Sequence, residues 1–401
     1  MANNNENKIL NVPNLRFPEF CGEWVTKSIN DLAVVIGGGT PDTTVKSYWD
    51  GEIQWFTPSE IGKNKYVDSS LRTITEVGLN NSSAKLLPPN TILLSSRATI
   101  GECSLSLREC ATNQGFQCLV SKKCNVDFLY YLIQTKKKDL IRKSCGSTFL
   151  EISANEVRKI QVSVPSDVEQ QKIAELLSLI DERIATQNKI IEDLKKLKSA
   201  ISKHLFTRKD LLETTICLSE IATLRNGYAF QSSKYNALGK WKILTITNVS
   251  GERHINDEDC NCIINLPDDI QDHQVLKEGD ILISLTGNVG RVSLCKDGDY
   301  LLNQRVGLLQ LAKNVNQEFL YQILSSQKFE NSMIACGQGA AQMNIGKGDV
   351  ESYVLPYSSN GNNILWIAKI LHSYYECIIN EQRRLTLLTM QKQYLLTQMF
   401  I

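Results

Sequence analysis

The sequence is poor in the features on which enzymes and membrane proteins depend. Its 401 residues include only four histidines, His204, His254, His273 and His372, and no two of them have metal-ligand spacing. General acid–base and triad mechanisms therefore have few candidate groups. No apolar run approaches the roughly 18 residues of a membrane span. We therefore expect a protein that is not an enzyme, that contains no metal site and that lies outside membranes.

Cysteines are frequent, but they lack the spacing of a disulfide framework. The chain contains 12 of them, and Cys260 and Cys262 are the only close pair. Reduced thiols in a cytoplasm fit this scatter better than disulfides or a zinc site. The opening residues, MANNNENKILNV, have neither the basic nor the apolar region of a signal peptide. These features predict a cytoplasmic protein.

The excess of positive charge that usually marks a nucleic-acid-binding protein is also missing. The chain carries 44 Lys and Arg residues against 43 Asp and Glu residues, a formal net charge of +1. Nucleic-acid binders usually show a basic patch or a high isoelectric point. Any DNA site must therefore be a local patch, or be completed by a partner subunit.

What the chain does have is one long helical pattern that occurs twice. Residues 172–206 contain no proline or glycine, and their apolar residues follow the alternating 4,3 spacing of a coiled-coil seam. The same spacing returns at the end of the chain, where polar Glu381 and Lys392 repeat polar Gln187 and Lys198 at a shift of 194 positions. The predicted seam consists of Ile173, Leu177, Ile180, Ile184, Ile191, Leu194, Ile201 and Leu205 in the first helix, and of Ile367, Leu371, Tyr374, Ile378, Leu385, Leu388, Leu395 and Met399 in the second.

The segments that precede the two helices are also copies of one another. Residues 91–105 and 280–294 share six of 15 positions, and Asn113-Gln114 returns as Asn303-Gln304. Both copies alternate apolar and polar residues around a glycine, which is typical of hairpins or bulged strands. The order is therefore β-rich module, long helix, β-rich module, long helix. A solenoid is excluded because this period is far too long.

A lone helix could not leave its apolar seam in water, because each seam residue is worth about 1.5–3 kcal/mol when buried. Since the halves are copies, the simplest burial is an antiparallel helix pair about a pseudo-twofold axis. The alternative is that each helix packs on its own module. We predict an α+β fold with two β-rich domains, related by internal duplication and separated by two long antiparallel coiled-coil helices. The predicted domains are 1–168 and 207–363, and the predicted helices are 169–206 and 364–401.

Polar residues in the predicted loops of both modules are the candidates for a binding site. Asn and Gln can pair bidentately with adenine and Arg with guanine, whereas Lys mainly neutralises phosphate. Ordinary solvated loops and turn-stabilising amides are the alternative for any single residue. In the first module the candidates are Lys46, Tyr48, Ser59, Lys63, Lys65, Arg97, Thr99, Asn113 and Gln114. In the second they are Arg225, Tyr228, Lys234, Asn248, Arg253, Thr286, Asn288, Arg291, Asn303, Gln304 and Arg305.

Several short motifs resemble one protein family over nearly the whole chain. They are PNLRFP (13–18) with GEW (22–24), GGTP (38–41), IQWF (53–56), RATIG (97–101) followed by Asn113-Gln114, and VP (164–165) before EQQKIA (169–174). With the duplicated helices, they are similar to specificity subunits of type I restriction–modification systems, which have two target-recognition domains separated by long helices.

The resemblance implies a function that the residues alone do not reveal. Each module would bind one half of a bipartite, asymmetric target in double-stranded DNA, and the helix pair would fix the gap and dock two methyltransferase subunits. Motor–nuclease restriction subunits would join this complex for cleavage. The chain itself would be non-catalytic and hold no cofactor, and S-adenosylmethionine, ATP and Mg²⁺ would belong to its partners.

Three other functions remain open from the sequence. The chain could serve a fused nuclease–methyltransferase that cuts on both sides of its site, and the neighbouring reading frame would reveal this. A stand-alone DNA-binding regulator would bind its target strongly without partners. A coiled-coil scaffold would bind no DNA with or without them.

Overall fold

The computed structural model describes residues 11–146, 150–337 and 343–401. The chain forms two compact units. Unit 1 comprises Met1–Lys189 with Gln382–Ile401, and unit 2 comprises Ile190–Glu381. Within the described ranges, no helix combines the length and the apolar character needed to cross a membrane.

The described residues of unit 1 form three small sheets. A five-stranded sheet has the order β2-β9-β6-β7-β4, a three-stranded sheet has the order β5-β3-β8, and β1 pairs with β10. The strands are β1 (Val25–Ser28), β2 (Ala33–Gly37), β3 (Trp49–Phe56), β4 (Tyr66–Val67), β5 (Arg72–Ile74), β6 (Ile92–Leu94), β7 (Cys103–Ser106), β8 (Cys110–Thr112), β9 (Gln117–Ser121) and β10 (Gln161–Val164).

Short helices cover these sheets, and one long helix leaves the module. The helices are α1 (Ile29–Leu32), α2 (Glu76–Asn80), α3 (Val126–Thr135), α4 (Lys137–Arg142), α5 (Ala154–Lys159) and α6 (Asp167–Leu205). Asn125 caps α3 by accepting a hydrogen bond from the Phe128 amide at 2.9 Å. The predicted first long helix therefore exists, and it begins two residues after Pro165.

Unit 2 repeats this plan. Its sheets have the orders β12-β18-β15-β16, β14-β13-β17 and β11-β19. The strands are β11 (Thr214–Cys217), β12 (Ala222–Asn226), β13 (Trp241–Leu244), β14 (Asn261–Ile263), β15 (Ile281–Ser284), β16 (Val292–Leu294), β17 (Tyr300–Leu302), β18 (Val306–Leu311) and β19 (Val354–Tyr357). The helices are α7 (Gln317–Leu324), α8 (Gln327–Gly337), α9 (Lys347–Glu351) and α10 (Gly361–Gln398).

The two sheet topologies correspond strand for strand, apart from the extra edge strand β4 in unit 1. The sheet order β12-β18-β15-β16 reproduces β2-β9-β6-β7, and β14-β13-β17 reproduces β5-β3-β8, including the parallel pair in each. Asn316 caps α7 through the Phe319 amide at 2.9 Å, as Asn125 caps α3. The internal duplication and the α+β class predicted from the sequence are confirmed.

Inside unit 1, the start of α6 packs against the end of α10. Ile173 and Leu177 of α6 share one apolar core with Leu395 and Met399 of α10 and with Phe128 of α3. Phe400 stacks on Phe128 with a centroid distance of 5.3 Å. The α10 terminus is thus part of the core of the first module.

Inside unit 2, the end of α6 packs against the start of α10. Leu205 lies in one core with Ile367, Leu371 and Phe319. Phe206 meets Phe319 edge to face at 6.1 Å, in the place that Phe400 and Phe128 occupy in unit 1. In each unit the two helix segments run antiparallel, because early positions of one contact late positions of the other. The seam residues at the helix ends therefore pack against their module as well as against the other helix.

All 16 predicted seam residues are buried or half-buried, and so are the polar residues that interrupt the seam. In unit 1, Lys392 Nζ lies 2.7 Å from the carboxylate of Asp181. In unit 2, the duplicated Lys198 lies over the ring of Tyr375, 5.9 Å from its centroid. Burial lowers the pKa of Lys198, and the nearby positive charge of Arg253 lowers it further. At equivalent positions, unit 1 therefore buries a lysine–carboxylate ion pair and unit 2 buries a lysine against an aromatic ring.

Candidate nucleic-acid interface

In unit 1, four loops meet at one edge of the sheets, which we call the first loop edge (residues 38–41, 57–60, 95–99 and 113–116). They meet because β2, β3 and β6 all end there, and because the chain turns there from β8 into β9. The amide of Asn113 donates to the Phe56 carbonyl at 3.1 Å, and the amide of Ser96 donates to the Gly115 carbonyl at 2.8 Å. These backbone bonds join the loops into one surface.

Unit 2 has the equivalent surface, the second loop edge (residues 227–230, 245–248, 285–289 and 303–305). The Tyr228 amide donates to the Leu302 carbonyl at 2.8 Å, and the Gln304 amide donates back to Tyr228 at 3.0 Å. The amide of Leu285 donates to the Arg305 carbonyl at 3.0 Å. The same four strand ends therefore supply both loop edges.

A glycine allows the loops of each edge to approach closely. A Cβ atom on Gly38 would lie 1.9 Å from the Asn113 carbonyl oxygen, and one on Gly227 would lie 2.2 Å from the Asn303 carbonyl oxygen. Both distances are far inside van der Waals contact, so neither position has room for a side chain. The duplication has therefore kept the backbone frame of the loop edge in both units.

We expect Gly38→Ala to disturb the first loop edge and Gly227→Ala to disturb the second, each lowering the free energy of unfolding of its unit by about 2 kcal/mol or more. The reason is the clash of the new methyl group with a neighbouring backbone carbonyl. Hydrogen exchange of the loop peptides should report which unit is affected. Gly348→Ala is the matched control, because nothing lies within 4 Å of its Cβ position. Equal stability of all three variants would contradict this account.

Twelve of the twenty candidate residues lie on the two loop edges. Ser59, Arg97, Thr99, Asn113 and Gln114 lie on the first edge, and Tyr228, Asn248, Thr286, Asn288, Asn303, Gln304 and Arg305 lie on the second. The exposed members on the first edge are Ser59, Thr99 and Gln114, and those on the second are Asn288, Gln304 and Arg305. These six side chains are available to a ligand.

The asparagines of the edges mainly build the loops. The side-chain oxygen of Asn113 accepts from the Gly115 amide at 2.8 Å, and that of Asn303 accepts from the Arg305 amide at 3.2 Å. Asn248 is 3% exposed and accepts from the Thr245 amide at 2.8 Å. Their roles match the turn-stabilising alternative considered from the sequence.

Five candidates do not lie on the loop edges. Lys46, Lys63, Arg225 and Lys234 are exposed, and Tyr48 is half-buried. The side chain of Arg225 donates to Gln310 on the neighbouring strand at 2.7 Å. The backbone frame of the loop edges therefore does not hold these five side chains.

Lys65 points into unit 1. Its ammonium lies 2.6 Å from Asp127 of α3 and donates to Ser178 of α6 at 2.7 Å, and its side chain is 6% exposed. It also lies 4.9 Å from the ring centroid of Tyr131. A side chain held in this way joins the module to the long helix, and it is a poor candidate for contact with DNA.

Arg253 is its counterpart in unit 2. Its guanidinium donates to Glu318 of α7 at 2.9 Å, contacts His372 of α10 at 3.4 Å and is 11% exposed. Arg291 is likewise paired with Glu330 of α8 at 3.4 Å. The sequence analysis did not predict that Lys65–Asp127 and Arg253–Glu318 are equivalent ion pairs, although the repeat could have revealed it. Asp127 returns as Glu318, and Ser178 returns as His372, at the shifts of the surrounding segments.

The partners of several edge residues were also not predicted from the sequence. On the first edge, the hydroxyl of Thr40 donates to the side chain of Gln114, and Arg97 pairs with Glu151 at 2.9 Å. On the second, the hydroxyl of Tyr228 donates to Asp269 at 2.7 Å, which raises the pKa of that phenol. No local motif identifies these partners, because each comes from a distant loop. Among the residues that the structure describes, no group of three or more His, Cys, Asp and Glu side chains could hold a metal ion.

The fold and its two loop edges define a class of protein in which duplicated β-rich modules present polar loops and share a pair of long helices. The family model described as "Type I restriction modification DNA specificity domain" matches residues 22–196 and 213–390. The chain belongs to this family.

Curated relatives agree with this assignment. The chain is 39% identical over 189 residues to the type I restriction enzyme MjaIX specificity subunit of Methanocaldococcus jannaschii, which covers 46% of this chain and 44% of the relative. It is 31% identical over 206 residues to a type I restriction enzyme specificity subunit of Escherichia coli, covering 49% and 50%. In these two matches the chain spans about half the length of the relative. The MjaVIII specificity subunit of M. jannaschii matches at 26% identity over 80% of this chain and 78% of the relative.

Solved structures show the same fold. The S subunit of a type I restriction–modification system from M. genitalium matches with a TM-score of 0.58 at 17% identity, covering 97% of this chain and 99% of that one. A chain from a structure that describes complex assembly and conformational transition of the type I system matches with a TM-score of 0.62 at 15% identity, covering 93% and 96%. At these identities the likeness concerns the fold alone.

Proposed function

We propose that this chain is the DNA specificity subunit of a type I restriction–modification complex, and that each unit reads one half of a bipartite, asymmetric target in double-stranded DNA. The observation that carries the proposal is the duplicated loop edge. One backbone frame, closed on Gly38 in unit 1 and on Gly227 in unit 2, presents different exposed side chains in the two units. Two related domains that recognise different half-sites need a shared backbone frame that carries different side chains.

The exposed side chains suit contact with DNA. Gln114 and Gln304 occupy equivalent loops, and a glutamine amide can pair bidentately with adenine in the major groove. Arg305 lies beside Gln304 and can pair with guanine or phosphate. Lys46, Lys63, Arg225 and Lys234 would neutralise phosphates around the edges. This local supply of cations is consistent with a chain whose net charge is only +1.

The remaining activities of such a complex would belong to other subunits. We place two methyltransferase subunits on the helix pair, and motor–nuclease restriction subunits on the complex that they form. This chain would be non-catalytic, and S-adenosylmethionine, ATP and Mg²⁺ would be bound by its partners. All twelve cysteines lie in the described residues and are free thiols, which supports a cytoplasmic location.

The proposal is tested by sequencing the methylome of cells that express the neighbouring methyltransferase with and without this chain. The expected result is a methylated split motif that appears only when this chain is present. Unchanged methylation with a methyltransferase that is shown to be folded and active would overturn the proposal. A stand-alone regulator would instead bind a specific site without any partner.

Sequencing of the methylome also shows which unit recognises which half-site. We expect Gln114→Ala to relax recognition in one half of the methylated motif and Gln304→Ala to relax it in the other, because the two residues lie on different loop edges. A lost bidentate base contact costs about 1–3 kcal/mol of discrimination. Lys234→Ala serves as the comparison, since loss of a phosphate contact should weaken binding to all sequences and lower the salt dependence. If both glutamine variants changed the same half of the motif, the assignment of one half-site to each unit would be wrong.

A further inference from the structure

In unit 1, a hydroxyl group holds the side chain of the exposed glutamine on the loop edge. Thr40 follows Gly38 and Gly39, and its hydroxyl donates to the side-chain carbonyl of Gln114. Gln114 is exposed and Thr40 is half-buried, so this bond forms at the surface of the edge. The amide group of Gln114 is therefore held in place before any ligand binds.

Unit 2 keeps the glutamine but lacks the hydroxyl. Gln304 is the duplicate of Gln114, and at the shift of 189 positions that relates the two glycines of the loop edges, Ala229 takes the place of Thr40. The methyl group of an alanine cannot form a hydrogen bond. The side chain of Gln304 is exposed, and it forms no hydrogen bond with any residue in the described part of the chain.

The backbone around the two glutamines is equivalent in the two units. The amide of the residue before Gln114 donates to the end of β3 at 3.1 Å, and the amide before Gln304 donates to the end of β13 at 3.2 Å. The amide before Thr40 donates to the end of β8 and the amide before Ala229 to the end of β17, both at 2.8 Å. In unit 2 the carbonyl before Ala229 also accepts from the Gln304 amide at 3.0 Å. Residue 229 therefore lies beside Gln304.

The hydroxyl changes how strongly a glutamine can discriminate between bases. A glutamine that is free to rotate must be ordered when it pairs with a base, and this ordering costs free energy. A wrong base leaves the side chain mobile, so the cost falls on the correct pair alone and reduces the difference between the two. A glutamine that is already held does not incur this cost on binding. The bond from Thr40 leaves a lone pair of the Gln114 oxygen and both amide hydrogens available to adenine.

We infer that Thr40 is a positioning residue for base recognition, which makes unit 1 discriminate strongly at the base pair contacted by Gln114. Ala229 leaves unit 2 more tolerant at the base pair contacted by Gln304. This inference rests on the proposed function and deepens it, because it assigns a different stringency to each half-site. Thr40 acts through the glutamine and requires no contact of its own with DNA.

The test measures methylation of a plasmid library in cells that express the full chain with its methyltransferase. The library carries all four bases at each position of the target, and Gln114→Ala identifies the base pair that this glutamine contacts. Thr40→Val removes the hydroxyl but keeps the branched shape, and it should lower discrimination at that base pair by about threefold to tenfold. Thr40→Ser keeps the hydroxyl and should retain most of the discrimination. All other positions of the target should be unchanged.

The reciprocal variant adds the hydroxyl to unit 2. Ala229→Thr should raise discrimination at the base pair identified by Gln304→Ala, by a similar factor. Ala229→Val is the matched control, because it adds the same branched shape without a hydrogen-bonding group, and it should leave discrimination unchanged. Residue 229 is exposed, so both substitutions are expected to leave the fold intact.

Each other outcome has a defined meaning. Unchanged discrimination in Thr40→Val, or an equal loss of methylation at every target, would overturn the inference while specific methylation by the unaltered chain still supported the proposed function. Equal gains from Ala229→Thr and Ala229→Val would also contradict it, because shape rather than the hydroxyl would then be responsible. If Gln114→Ala left the target unchanged, the base contact on which the inference depends would be wrong. Absence of any methylated motif with the unaltered chain would overturn the proposed function itself.

Discussion

Replacing Lys392 with methionine (Lys392→Met) is expected to lower the free energy of unfolding of unit 1 by about 2–4 kcal/mol. The Lys392 ammonium lies 2.7 Å from Asp181, and the two side chains are only 19% and 14% exposed. Tyr131 donates a second hydrogen bond to the same carboxylate at 2.6 Å. Removal of the lysine leaves a largely buried carboxylate without its counter-charge, and such losses typically cost about 3–5 kcal/mol at fully buried sites.

The duplicated lysine supplies a matched control. Lys198→Met removes a cation at the equivalent position of unit 2, where the ring of Tyr375 stands in place of a carboxylate. Burial disfavours the charged form of Lys198 and lowers its pKa, so methionine removes a desolvated charge as well as a cation–π contact. We expect Lys198→Met to be close to neutral in stability at pH 7, because these two effects oppose one another.

Urea unfolding of the full chain, with hydrogen exchange to locate each change, measures both effects. The double variant Lys392→Met with Asp181→Asn should recover most of the loss, because the carboxylate then no longer requires a counter-charge. Equal losses for Lys392→Met and Lys198→Met would show that the seam lysines act through their aliphatic stems alone. The ion pair in unit 1 and the cation–π contact in unit 2 would then contribute equally to the free energy of unfolding.

Inserting one heptad into each long helix is expected to lengthen the spacer of the methylated target by about three base pairs. The insertions lie between Asn188 and Lys189 in α6 and between Gln382 and Arg383 in α10, which are equivalent places in the duplicated pattern. Seven residues add about 10 Å of helix and preserve the seam register. DNA rises about 3.4 Å per base pair, which converts the added length into base pairs. Both half-sites should be unchanged, because the loop edges are untouched.

The methylome of cells that express the double insertion gives the answer directly. An insertion in α6 alone is the control, and it should destabilise the chain because its added seam residues have no partner on α10. An unchanged spacer with retained methylation in the double insertion would refute the proposal that the helix pair sets the spacing of the half-sites.

Much of the fold follows from local patterns and from comparing the chain with itself. Apolar spacing predicts both long helices, since an amphipathic helix of this length is determined mainly by its own sequence. Self-comparison predicts the equivalence of residues 91–105 and 280–294, which form β6–β7 and β15–β16 with the same pairing. The EQQKIA motif at the start of α6 can be recognised in the sequence, but the partner of its first residue cannot. Buried Glu169 pairs at 2.7 Å with Arg16, which lies 153 residues away in the chain.

The sequence by itself determined the duplication, the helix pair and the set of loops that could form a site. Only the tertiary structure decided which side chains of those loops remain available. Lys65 and Arg253 resemble any other loop cation in sequence, yet each is held by an acidic residue that begins a distant helix, Asp127 or Glu318. The physical reason is that the environment of a charge depends on what the folded chain brings within a few ångströms. Local sequence does not encode that distance.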